Sequence, residues 1–426
     1  MIRFMAVKRT FFVWVGVFIV SFVLVNWALV FAAENKKSMK IHINTPAPKR
    51  FIVRNTTLID LEKGKKPVFF HGMGYSPYLA KETPLYGDLP GNDDRYAKHL
   101  PLMQDLGVDY LHIFPRMMPA KFFTALDKTD MVYGQDVWIW AYADDLLDQT
   151  FQQTTLSDIK EVIDHTYKIG RPDRLVLFSI GDELQASAVI QTNKRHPNVH
   201  AYHGKHLTVT HRTPTEVALA MFIDKAMDYE LSQYGQRHLY CHTSWTHIGP
   251  LSDRPDLELS YENVLLPDMG DLICLNVYPY ARGVMTSPKG SVTGTTYQGY
   301  LEQLAAKTDQ PIFVTQVGLS TSPIIPKPWV TGFGGHKAED VPNTYRSVWK
   351  DIHTAKGHQK FCGMAFFEFN DEWWKSGDDP DDFNQHEPED PEEWFGIYKV
   401  GQDNHLLPKG EIPETIKSLF KTPDIK

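Results

Sequence analysis

Eight short apolar runs, separated by longer segments with helical spacing, constrain this 426-residue chain more than any other feature. The runs cover residues 67–75, 110–116, 136–143, 175–181, 238–245, 271–278, 311–317 and 361–369, and each has the length and the aromatic or β-branched content of a buried strand. Between them, Ile159, Val162, Ile163 and Tyr167 repeat at three or four residues, as do Tyr297, Leu301, Leu304 and Ala305, and Tyr345, Val348, Trp349 and Ile352. Thr213, Pro214 and Glu216 form a capping box with proline at the first helical position, while Gly107, Gly170, Gly235 and Gly357 stand where helices should stop. Strict alternation of strand and helix forces parallel strands with helices outside, and eight is the number that closes, so a (β/α)8 TIM barrel is expected. A doubly wound open sheet is the alternative, but no glycine-rich phosphate loop follows the first strand. A barrel from about 67 to 422 exceeds the ~250 residues usual for the fold, which places the surplus in long loops after the strands. A hairpin at 51–60, with a turn at 62–66, precedes it.

Residues 11–25 (FFVWVGVFIVSFVLV) follow Arg3, Lys8 and Arg9, the charge order that exports whatever comes after. The apolar stretch runs on to Ala33, long enough for an anchor, while Ala32 and Ala33 suit a peptidase. Signal peptide and uncleaved anchor both stay open for residues 1–33, with a linker at 34–50 and the barrel at 51–426. The expected location is periplasmic or extracellular, with membrane contact only through 11–33 if that segment is retained. A net charge of -8 is the wrong sign for a protein that neutralises phosphates, which excludes nucleic acid as the main partner. Cys241, Cys274 and Cys362 each fall in or at the end of an apolar run, so buried thiols are expected, with neither a disulfide framework nor a zinc cluster. Asn55-Thr56-Thr57 is a glycosylation acceptor in a eukaryotic host.

In a parallel barrel the chemistry sits at the carboxyl ends of the strands. The fourth run ends in Gly181, Asp182 and Glu183, and strict alternation puts Leu175, Leu177, Ser179, Gly181 and Glu183 on the inward face. The eighth ends in FFEFNDEWWK, with Glu368, Asp371 and Glu372 beside Trp373 and Trp374. Glu368 should face inward, because a carboxylate among the helices would be costly to desolvate. Two inward carboxyl groups across a tryptophan-rimmed cleft suit sugar chemistry: one protonates a glycosidic oxygen, the other attacks or steadies the oxocarbenium centre, and aromatic faces stack on pyranose rings. Trp245 adds to that supply, as do Trp138 and Trp140, which taken singly read better as core.

The succession FFHGMGYSP, LGVDYLHIFPR, FSIGDE, LNVYPY, FVTQVGLS and FFEFNDEWWK, in this order on strands one, two, four, six, seven and eight, resembles clan A of the glycoside hydrolases. The nearest likeness is to the barrels of families 2 and 5 and to the β-glucanosyltransferase type. The resemblance implies Glu183 as acid and base and a nucleophilic glutamate at position 316. It further implies a nucleophile-bonding tyrosine at Tyr278 or Tyr280 and a site arginine at Arg116. Two departures stand out: Asp182 replaces an asparagine that contacts the sugar 2-hydroxyl, and Gln316 replaces the nucleophile, for which a neutral amide cannot serve. Three readings of Gln316 stay open: a disabled variant, a second carboxylate moved to Glu368 or Asp182, or lost catalysis with glycan binding kept. A moved carboxylate could imply inversion, with the groups roughly 6.5–9.5 Å apart.

Glu183, Glu368, Gln316 and Asp182 are thus the candidate catalytic positions. Arg116, His242, Trp245, Asn276, Tyr278, Tyr280, Asp371 and Trp373 are the candidate substrate contacts, and His71 and His247 have the same standing as His242. No cofactor and no metal are expected. The nine carboxylates from Asp378 to Glu393 lack the spacing of a calcium loop and read as a solvated acidic loop. The expected activity is that of an exported glycosidase or transglycosylase on a β-linked polysaccharide, with a catalytically silent glycan-binding or scaffold protein as the alternative.

Overall fold

The computed structural model describes residues 41–43, 46, 48–84, 89–245, 263, 265–324, 334–375, 390–401 and 403–421. The export segment, His247 and the acidic stretch up to 389 lie outside them. Among the described residues no helix is long and apolar enough to cross a membrane.

Eight parallel strands close into a barrel. They are β1 (Phe70–Tyr75), β2 (Tyr110–Ile113), β3 (Val132–Val137), β4 (Leu175–Asp182), β5 (Leu239–Trp245), β6 (Ile273–Asn276), β7 (Ile312–Val317) and β8 (Phe361–Phe366). Each falls on an expected run, except that β3 begins four residues before the run at 136–143. Its early half, Val132–Tyr133–Gly134, lacks a long apolar signature because Gly134 leaves room for a neighbour: a Cβ there would meet the Tyr110 hydroxyl at 2.0 Å.

Outside the strands lie α1 (Tyr96–Leu106), α2 (Ala120–Leu126), α3 (Gln149–Lys168), α4 (Ala186–Arg195), α5 (Pro214–Tyr234), α6 (Arg282–Met285), α7 (Thr296–Lys307), α8 (Val341–Thr354) and α9 (Ile412–Lys421). The capping box forms at α5, where Thr213 N donates to Glu216 Oε2 at 2.8 Å and Thr213 Oγ1 accepts from Glu216 N at 3.3 Å. The outward strand residues Phe178 and Ile180 pack against the helices in the larger core. A second core fills the barrel's interior: Phe70, Tyr110, Leu177, Leu239, Leu272 and Phe313, with Cys241, Cys274 and Cys362 free and buried among them. Burying each large apolar side chain contributes roughly 1.5–3 kcal/mol, so this plug is what holds the barrel's amino-terminal end shut.

The N-terminal hairpin supplies the rest of the plug. Phe51–Arg54, Thr57–Asp60 and Lys66–Pro67 form an antiparallel sheet, and Phe51 and Leu58 join the interior core, Phe51 edge-on to Phe70 at 5.9 Å. The 34–50 segment is not linker throughout: His42–Ile43 pairs with Leu207–Thr210, itself hairpinned to Ala201–His203 between α4 and α5. Long connections follow β1, β5, β7 and β8, and α4 with its hairpin is inserted between β4 and α5, as the surplus length requires.

Candidate active site

Strict alternation would turn Asp182 outward, and the structure corrects this. Between β4 and β5 the register passes from Cys241 opposite Ser179 to Thr243 opposite Asp182, three residues against two, a bulge at the carboxyl end of β4. Gly181 takes φ +74° there and Glu183 takes φ +47°, a conformation that non-glycine residues adopt chiefly where the surroundings hold them. The extra residue brings both Asp182 and Glu183 to the mouth. A bulge in β7, with Asn276 opposite Gln316 one residue out of step, does the same for Thr315 and Gln316.

The four polar side chains interlock. Asn276 Nδ2 donates to Glu183 Oε1 at 2.7 Å and to Asp182 Oδ1 at 3.1 Å. Its orientation is fixed from behind by Thr315 Oγ1, which donates to Asn276 Oδ1 at 2.7 Å. Gln316 Nε2 donates to Asp182 Oδ2 at 3.1 Å, and the Tyr278 hydroxyl donates to Gln316 Oε1. Glu183 stays partly exposed, while Asp182 is 2% exposed and Gln316 5%. Burial pushes the Glu183 carboxyl up to about 7, against the Asn276 bond that favours the ion, with the Glu392 carboxylate adding to the rise. Glu183 is therefore about half protonated near neutrality, the state a general acid needs. Asp182 is also raised, by burial first and then by the Asp136 and Glu183 carboxyls.

Beneath this layer lie two residues that the sequence reading missed. Asp136 on β3 and His112 on β2 are wholly buried, with His112 Nε2 3.1 Å from Asp136 Oδ1. His112 Nδ1 meets the Tyr110 hydroxyl at 3.1 Å. Alternation from Tyr110 points His112 inward, so it was legible; Asp136 was hidden because β3 was placed four residues late. His112, Asp136 and Asp182 each offer a ligand atom within 4.8 Å of the others, which makes them the described group that could hold a metal ion, where none was expected.

Other candidates are placed elsewhere. Glu368 lies beside Gly74, where an added Cβ would meet its own at 3.4 Å, but it is fully buried and its carboxyl is held well above the usual range by burial and by Glu372. It is closed off from a sugar. Asp371 pairs with Lys409 Nζ at 2.5 Å and accepts from Gly396 N at 3.0 Å, anchoring the β8 loop. Trp373 packs with Leu79 and Val400 and donates to the Val400 carbonyl at 3.1 Å. Both are structural because the chain beyond β8 folds back over them.

Arg116 reaches Asp158 at 2.8 Å and Glu161, both on α3, so it ties β2 to a helix rather than facing the mouth. His242 is buried with Nδ1 3.0 Å from the Ile180 carbonyl, and burial holds its imidazole down to about 4. His71 lies against Trp349 and Phe420 on the helix side, at 5.6 and 5.0 Å.

Aromatic surface remains at the mouth. Tyr280 stacks on Tyr278 at 5.3 Å, and Trp245, at the end of β5, is half-buried beside Asn276 in register. Trp138 and Trp140 follow β3 rather than lying in it; they stack on each other at 5.6 Å, and Trp140 is 49% exposed, so the core reading fails for it. Lys375 Nζ sits 2.8 Å from Glu372, 3.7 Å from Glu392 and 5.0 Å from the centre of the Phe367 ring. Glu392, read as part of a solvated loop, is thus brought by a short helical turn (Pro391–Trp394) into the field of Glu183 and of Tyr278 and Tyr280.

No protein-family model and no curated protein matches the chain. Solved structures do. Gas2p of Saccharomyces cerevisiae in complex with laminaripentaose is 13% identical, with TM-score 0.52 over 89% of this chain and 70% of that one. The β-glucuronidase of Bifidobacterium dentium complexed with coumarin-3-O-glucuronide is 14% identical, with TM-score 0.56 over 88% of this chain and 49% of that one. A family 2 β-galacturonidase from Eisenbergiella tayi bound to galacturonate is 12% identical, with TM-score 0.52 over 87% and 53%. The chain has the fold of the clan A glycoside hydrolase barrels, as its strand-end motifs imply.

Proposed function

We propose that this chain is a glycoside hydrolase or transglycosylase acting on a β-linked polysaccharide, with Glu183 as its general acid and base. The observation that carries the reading is Glu183 itself: at the end of β4, partly exposed, bonded to Asn276, raised to about 7, and flanked by the stacked tyrosines Tyr278 and Tyr280. A carboxyl with that affinity for its proton can donate to a glycosidic oxygen at neutral pH and take the proton back from the acceptor. Water as acceptor gives hydrolysis; a sugar hydroxyl gives transfer. Solved neighbours of the same fold hold an oligosaccharide or a glucuronide, which supports a carbohydrate ligand. The basic flank and apolar run at residues 11–33 support export, with membrane contact through that segment if it is retained.

Gln316 favours a second reading, a glycan-binding protein without turnover, because its amide occupies the nucleophile position and is held at both ends. The purified chain screened against a panel of β-glucans and related polymers, with Glu183→Gln in parallel, separates the two. An enzyme loses turnover in the variant and keeps its ligand. Turnover unchanged by the exchange would remove Glu183 from the mechanism.

A further inference from the structure

Directly beneath the mouth, His112 from β2, Asp136 from β3 and Asp182 from β4 bring three ligand atoms within 4.8 Å of one another. All three residues are buried, His112 and Asp136 completely. Gathering an imidazole and two carboxyl groups in the interior is costly unless something compensates them. Among the described residues neither Asp136 oxygen has a hydrogen-bond partner, and His112 Nε2 has none although it stands 3.1 Å from Asp136 Oδ1. The distance suits a hydrogen bond and the direction does not. Asp182 is met by the amides of Asn276 and Gln316, neither of which is a cation. We propose that His112, Asp136 and Asp182 bind a zinc ion.

Three neighbouring strands supply one ligand each. Their register sets His112 beside Gly134, two residues before Asp136, and Asp136 beside Ser179, and the bulge that follows in β4 adds Asp182 to the set. One imidazole with two carboxylates suits zinc, which takes both at roughly 2.0–2.2 Å, whereas calcium asks for about six to eight oxygens and magnesium for an octahedron of them. The ligands are themselves held in place. His112 Nδ1 meets the Tyr110 hydroxyl at 3.1 Å, and each Asp182 oxygen accepts one amide N–H while keeping a lone pair for the ion. The Asp136 and Asp182 carboxyls also lie within hydrogen-bond reach of each other, so without a cation they share a proton. Zinc takes that proton's place, and the proton leaves to solvent. Two carboxylates cancel the charge of one divalent ion, so no net charge is added beneath Glu183. Through Asp182 the ion braces Asn276, which orients Glu183.

The test uses the untagged full chain, stripped with a chelator, dialysed against zinc chloride and assayed for metal by mass spectrometry. One zinc per chain is expected, with the unfolding midpoint raised by about 3 °C when free zinc is roughly a hundredfold above its dissociation constant. Asp136→Asn keeps the shape and removes a ligand charge, so it should weaken zinc binding about 100-fold or more, and Tyr110→Phe about 10- to 100-fold. His405→Gln, at an exposed histidine beside Asp403, should change nothing. Anomalous scattering at the zinc edge needs no variant and should place the ion between the three ligands. A stripped chain that takes up no zinc, an ion found elsewhere on the chain, or binding undiminished by Asp136→Asn overturns the proposal and leaves the shared proton as what holds the two carboxyls together. Metal content and unfolding need no substrate, so the outcome stands apart from the glycosidase reading, which Glu183→Gln tests.

Discussion

Replacing Lys409 by methionine asks whether Asp371 is an anchor rather than a sugar ligand. Lys409 Nζ lies 2.5 Å from Asp371 Oδ1 and 2.9 Å from both Thr321 Oγ1 and the Trp394 carbonyl. The side chains are 7% and 0% exposed, so the ion pair is effectively inside the protein. Removing one partner of such a pair leaves an uncompensated charge and costs about 3–5 kcal/mol. For a folded unit of about 380 residues, an unfolding entropy near 2.1 cal/mol/K per residue converts this to a midpoint drop of roughly 4–6 °C. The loss should depend on pH. Burial already pushes Asp371 up to about 6, even with Lys409 holding it down. A folded pKa above the unfolded value, near ~3.9, means stabilisation that is present at low pH and lost as pH rises through the folded pKa. Without the lysine the folded value climbs further, so the deficit should be small at pH 5 and large at pH 8. Calorimetry at both values measures it. An equal deficit at the two pH values, or none, would refute the buried-pair argument.

Three further outcomes follow from the same geometry. Glu368→Gln replaces a buried, raised carboxyl by its neutral isostere, so the variant should gain stability over the native chain as pH rises from 5 to 8 and keep turnover; loss of turnover equal to that of Glu183→Gln would return Glu368 to the chemistry. Asn276→Ala removes the N–H shared by Asp182 and Glu183; a charge-assisted bond of about 1.5–3 kcal/mol predicts a fall in kcat of roughly 10- to 100-fold, with the alkaline limb of the pH profile moved upward because that bond lowers the Glu183 pKa. Glu392→Gln should move the same limb downward, since its carboxylate raises Glu183, and the shift should shrink in high salt because Glu392 is 53% exposed.

The barrel was legible because its signal is global: eight runs, helical spacing between them and the capping box at Thr213 all point to one topology. The site was legible only in part. Glu183, Asn276, Gln316 and Tyr278 are hydrogen-bonded in one layer, because each lies at or just beyond the end of a strand whose register the barrel fixes. Asp182 escaped strict alternation through a bulge, and bulges leave no reliable mark in a single sequence. Asp136 was missed because Gly134 interrupts the apolar run that should have announced β3. Asp371 and Trp373 looked like mouth residues because they follow β8 directly; Lys409 and Val400, which claim them, come from chain that returns much later. Lone residues such as Arg116 and His242 were the weakest inferences, since adjacency to a strand does not say which face the side chain takes.

The most direct measurement is the pH dependence of kcat/KM for the native chain and for Glu183→Gln on whichever β-linked polymer the screen identifies. A general acid raised to about 7 predicts that native activity falls tenfold per pH unit above that value, and that the variant retains only a small, pH-flat remnant. Native activity that stays level from pH 6 to pH 9, or a variant with the same limb, would contradict the role given to Glu183.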